Sequence, residues 1–104
     1  MSERLKDATK IKGKKELQVA IEALKVYGRA HGPKHRADVY EKLKSKGIEI
    51  PYGRFKRIDW ELSSAGFTGL PRRYMGMGTS EIKKEGRKLL DELKKESGSI
   101  SIRK

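Results

Sequence analysis

The chain has no cysteine, which excludes a disulfide framework and any thiolate-held zinc site. Asparagine is also absent and Gln18 is the single glutamine, while lysine and glutamate are abundant, the compositional bias of hyperthermophile proteins. A thermophilic source is therefore expected. No apolar run approaches a membrane span, and the stretch from Met1 to Lys15 lacks the apolar segment of a signal peptide, so the expected location is cytoplasmic. Acidic groups are in deficit: 14 carboxylates face 26 lysines and arginines, for a formal net charge of +12 on 104 residues. Such a body repels itself unless an anion screens it, and a polyanion is the natural partner. The excess sits in the first three quarters of the sequence, because the final quarter mixes both signs. Leu, Ile, Val and Phe make up just over a fifth of the chain, above the roughly one-fifth below which a highly charged sequence stays disordered. One modest core is expected.

Residues 1–14 are polar and basic, and read as an arm whose Lys6, Lys10, Lys12 and Lys14, with Lys15 just beyond it, either meet an anion or only keep the chain soluble. From Lys15 to Ala30, Leu17, Ala20, Ile21, Leu24 and Tyr27 recur at helical spacing, and His31-Gly32-Pro33 ends the run. Val19, Ala23, Val26 and Ala30 form a second stripe on the same helix. Its cover is expected to be a C-terminal helix or a second subunit, so a homodimer through Val19, Ala23, Val26 and the C-terminal helix is one expectation. A second helix fits His35 to Lys46, with Val39, Tyr40 and Leu43 inward and Gly47 as its stop. Pro51 suits the first turn of a third helix, which carries Phe55, Ile58 and Leu62 inward and ends near Ala65-Gly66.

Between Phe67 and Ile82 the helical period vanishes, and glycines with Pro71-Arg72-Arg73 in the middle predict a strand, a loop and a returning strand. Leu89, Leu90 and Leu93 carry a fourth helix from Lys84 to Glu96, followed by a small, polar tail over 97–104 that reads as loose. The expected organisation is an arm over 1–14, a domain over 15–96 and that tail. The fold class is mainly α with a small β-hairpin (α+β).

This order of elements resembles a winged helix-turn-helix domain. The run from Phe55 to Phe67 looks like the end of that family's recognition helix and its exit through a small-residue-glycine turn. The run from Ile82 to Leu90 is similar to the segment that closes the wing and opens the next helix in MarR-like and PadR-like transcription regulators. Asp59 departs from the pattern, standing where a second apolar residue is common, and Lys83 stands where threonine is common.

The resemblance implies a third helix that enters the DNA major groove. With Phe55, Ile58 and Leu62 inward, Arg54, Lys56, Arg57 and Glu61 are left at or near the outer surface, and Tyr52 and Gly53 lead the helix. Arginine pairs bidentately with guanine, so Arg54 and Arg57 are the base-contact candidates and Lys56 a phosphate contact. Trp60, beside a core stripe, is expected in packing or at an interface, with stacking on a base as the alternative. Arg72 and Arg73 at the loop tip suit wing contacts, or a turn kept soluble by charge. Lys34, His35 and Arg36 open the second helix, where N–H groups and cations together favour a phosphate.

Catalytic patterns are lacking. Gly32-Pro33 separates His31 from His35 and breaks the helix that would set both on one metal, and neither Gly76-Met77-Gly78 nor Gly13-Lys14-Lys15 completes a nucleotide-binding loop. The expected protein is a non-enzymatic, cofactor-free binder of duplex DNA, acting in transcription control or genome architecture. An RNA-binding or ribosome-associated protein, and an adaptor for an acidic protein, are the alternatives.

Overall fold

The computed structural model describes residues 7, 9–11, 13–30, 33–69 and 78–102. In chain order these form α1 (Lys14–Arg29), β1 (Lys34–His35), α2 (Arg36–Ser45), α3 (Tyr52–Ser64), β2 (Thr68–Gly69), β3 (Thr79–Ile82) and α4 (Lys84–Ile102). The three strands make one antiparallel sheet in the order β1-β3-β2, with Lys34 opposite Ser80 and Thr68 opposite Ile82. The described part of the chain is thus mainly helical with a small sheet, as its periodicity predicts. The two strands expected between Phe67 and Ile82 are present as β2 and β3, and most of the segment between them lies outside the described residues. Strand β1 was not foreseen: two residues carry no alternation, and their pairing with β3 spans a long sequence separation.

Two helix ends follow directly from their glycines. Gly47 and Gly66 both sit at φ 86°, a left-handed backbone that other residues adopt at a cost. This turns the chain so that Ile48 N–H reaches Leu43 O at 3.1 Å and Phe67 N–H reaches Leu62 O at 3.0 Å. The carbonyls left over at each helix end are thereby bonded, and the chain is aimed into the next element.

Helix α1 is the central element and packs against α2, α3, α4 and β3. Its principal stripe, Leu17, Ala20, Leu24 and Tyr27, is buried beside Val39, Leu43, Phe55, Ile58 and Leu62. The second stripe is buried as well: Val19, Ala23 and Val26 are at most 5% exposed within the single chain. The expectation of a second subunit on that stripe therefore falls, because the chain covers these side chains itself. Val19 lies beside Gly47, Ile48 and Glu49, whereas α4 packs on a different side of α1, with Leu90 beside Gly28 and Leu89 fully buried.

Both ends differ from expectation. Ile11, placed by sequence in the arm, is only 4% exposed and belongs to the core, and Lys10 N–H points at the Glu61 carboxylate at 3.4 Å. An isolated apolar residue in a basic stretch gives no periodicity, so its burial could not be read ahead. At the other end α4 runs on to Ile102 rather than stopping at Glu96. Gly98 alone, at a cost of about 1 kcal/mol in a helix, does not break it, and no proline follows.

Candidate nucleic-acid interface

Helix α3 is fixed at its start by an aromatic cluster. Pro51 takes the N-cap position and its carbonyl accepts from Phe55 N–H at 3.1 Å. The Tyr40 hydroxyl donates to Ile50 O at 2.6 Å, and its ring meets Tyr52 edge-on, centroids 4.9 Å apart, and Phe55 at 5.4 Å. The joint between α2 and α3 is therefore held by three rings and a hydrogen bond. Lys44 lies 5.6 Å from the Tyr40 ring centroid and Lys56 5.9 Å from that of Tyr52, so two cations are held over ring faces at this corner.

The middle of α3 is fixed by Asp59. It is 3% exposed, and its two oxygens accept from the Tyr27 hydroxyl at 2.7 Å and from Arg36 Nε at 3.0 Å. One carboxylate thus joins α1, α2 and α3. Burial, and next the neighbouring Asp59 charge, push the Tyr27 phenol well above its ordinary pKa. Asp59 stands where the resembled family often has an apolar residue, and here it does keep the inward direction of that position. Its phase, four residues after Phe55 and three before Leu62, was the available signal.

The predicted site residues fall into separate groups. Arg54, Lys56, Arg57 and Tyr52 are exposed on α3, in agreement with the helix phase. Arg54 Nε lies 3.8 Å from Glu16 Oε1, a loose pair across an open cleft that also holds Lys10, Arg57 and Glu61. Glu61, expected near the outer surface, is instead buried, where it receives the Lys10 N–H. Trp60 is not part of the packing: it is 64% exposed.

Lys34 and His35 lie in β1 rather than in the first turn of α2, His35 exposed and Lys34 half-buried. Arg36 opens α2, but its backbone N–H is bonded to Gly78 O at 2.8 Å and its side chain to Asp59, so its first duty is structural. Arg72 and Arg73 lie outside the described residues, as do Lys6, Lys12 and His31.

The outcome is a helix of two unlike sides. Both carboxylates of α3, Asp59 and Glu61, are turned inward and buried, while Tyr52, Gly53, Arg54, Lys56, Arg57, Trp60, Ser63 and Ser64 are exposed. Its solvent side carries cations, aromatic rings and small polar groups with no negative charge. Among the described residues no helix is long and apolar enough to cross a membrane, and no three His, Asp or Glu side chains gather as metal ligands would. Comparison with protein-family models, curated proteins and solved structures found no match.

Proposed function

We propose that this chain is a winged helix-turn-helix domain that binds duplex DNA without catalysis, as a transcription regulator or architectural protein. The observation that carries the reading is the sorting of charge on α3: each of its acids is buried and each of its bases is exposed. A helix inserted in the major groove needs cations for phosphates and donors for base edges, and a carboxylate on that face would repel the backbone. Two further features support it. The order α1-β1-α2-α3-β2-β3, with sheet order β1-β3-β2, is compatible with a winged helix and supports that reading. The rigid α2–α3 joint is what a helix must have to present side chains in a fixed register.

In this reading Arg57 and Arg54 reach base edges, Lys56 and Tyr52 hold phosphates, and Lys34 and His35 meet the backbone beside the sheet. Arg36 acts indirectly, by fixing α3 through Asp59. The test is fluorescence anisotropy against random duplex DNA, duplex RNA of equal length and an acidic protein, over a salt series. Preference for DNA with a steep loss of affinity as salt rises is expected; tighter binding to RNA or to the acidic protein at matched salt would overturn it.

A further inference from the structure

The one tryptophan of the chain stands at the centre of the solvent side of α3. At about 100° per residue, Lys56 and Arg57 lie one turn before Trp60 on the same face, Ser63 and Ser64 one turn after, and Gly53 two turns before. All five are exposed. Small groups at both ends leave the indole as the bulkiest group on this strip, with a lysine and an arginine beside it.

An indole left 64% in water contributes little to the core, and its apolar surface is available to a partner. The surrounding face is cationic, which selects a polyanion over an apolar protein groove. In the major groove of duplex DNA, the base edges offer one apolar group, the C5-methyl of thymine. Duplex RNA offers neither that methyl nor a groove wide enough to admit the helix.

We infer that Trp60 is a specificity-determining residue that packs its indole against thymine C5-methyl groups in the major groove. The inference rests on the DNA-binding reading above, and adds to it a preference for thymine in the site and a reason for discrimination against RNA. Lys56 and Arg57, one turn away, hold the neighbouring phosphate and base edge and so set the depth at which the indole lies.

Because Trp60 is the sole tryptophan, emission excited at wavelengths that tyrosine does not absorb reports on this side chain alone. Four short labelled duplexes separate the methyl from everything else: alternating A–T, the same with uracil for thymine, alternating G–C, and the same with 5-methylcytosine. Removing thymine methyls should weaken binding about fourfold for each methyl in contact, and adding them to cytosine should strengthen it by a similar factor. Indole emission should shift or quench as the A–T duplex saturates. Trp60→Ala should bind each methylated duplex and its unmethylated counterpart alike while keeping the wild-type melting temperature, since an exposed side chain is removed; the comparison of duplexes with wild-type protein needs no variant at all.

Saturable binding that ignores the methyl, or a methyl preference that survives Trp60→Ala, would overturn this inference and leave the DNA reading in place. Flat anisotropy on every duplex would overturn the DNA reading, and this inference with it.

Discussion

The Tyr27 hydroxyl donates to Asp59 across 2.7 Å, joining the last turn of α1 to the middle of α3. Arg36, on the other oxygen of the same carboxylate at 3.0 Å, adds the first turn of α2. A carboxylate 3% exposed loses its water, and the two donors replace that hydration. What the arrangement secures is orientation: α3 cannot roll about its axis without stranding Asp59. Its outward strip therefore holds one heading.

This network makes stability fall in alkali. The Tyr27 phenol keeps its proton in the folded state at pH values where an unfolded tyrosine, with a pKa near 10, has lost it. A pKa raised by folding contributes stability that is whole below pH ~10 and is lost as pH rises beyond it, at up to about 1.4 kcal/mol per pH unit. Urea unfolding followed between about pH 9 and 11 should show this slope, less steep in Tyr27→Phe by about one proton's worth. Equal slopes in the two proteins would show that Tyr27 is not shielded.

Gly86 and Gly28 give a paired test of the packing of α4. A Cβ at Gly86 would overlap the Phe67 backbone carbonyl oxygen and lie 2.8 Å from Ile82 Cγ1, and that same carbonyl accepts from Lys83 N–H at 2.9 Å. Backbone on both sides has little room to yield. A Cβ at Gly28 meets the end of the Leu90 side chain at 2.6 Å, which can turn away. Gly86→Ala should cost about 3 kcal/mol or more and Gly28→Ala about 1, read as shifts of the urea midpoint at constant m-value. The reverse order would mean that α4 does not seat on Phe67 as described.

Much of this fold is legible in the sequence because it is local. The inward residues Phe55, Ile58 and Leu62, the stops at Gly47 and Gly66, and the outward direction of Arg54, Lys56 and Arg57 all follow from a period and a punctuation mark. What escaped is what depends on distant partners. Ile11 becomes core only because α1 and α3 leave it a place, β1 exists only through β3, and Glu61 is buried only because the N-terminal segment crosses it. The second stripe of α1 shows the limit in another form: helical spacing says that Val19, Ala23 and Val26 need cover, and cannot say whose.

The exposed cations of α3 should separate by kind. If Lys56 holds a phosphate, Lys56→Gln should weaken binding alike on every duplex and reduce the slope of log K against log salt by about one. If Arg57 reads a base, Arg57→Gln should cost about 1–3 kcal/mol on a selected site and much less on random sequence. Anisotropy titrations at several salt concentrations measure both. A uniform loss in Arg57→Gln would move that residue to the phosphate group. Neither change should alter the melting temperature much, since both side chains are exposed.

Gly53 supplies a prediction with two signs. It is helical, its φ is not positive, and a Cβ built on it would meet nothing within 4 Å, so nothing in the fold calls for glycine there. Glycine within a helix is less stable than alanine by about 0.5–1 kcal/mol, the lower figure applying near an end. Gly53→Ala should therefore raise the melting temperature. On the DNA reading the same glycine shares the outward strip with Trp60, and its missing side chain lets the helix backbone lie close to the duplex. The added methyl should then weaken duplex binding even as the protein becomes more stable, a combination that damage to the fold cannot produce. A variant that melts higher and binds as tightly as the parent would take Gly53 out of the contact surface, and would mean that α3 meets its partner through the turns from Lys56 onward.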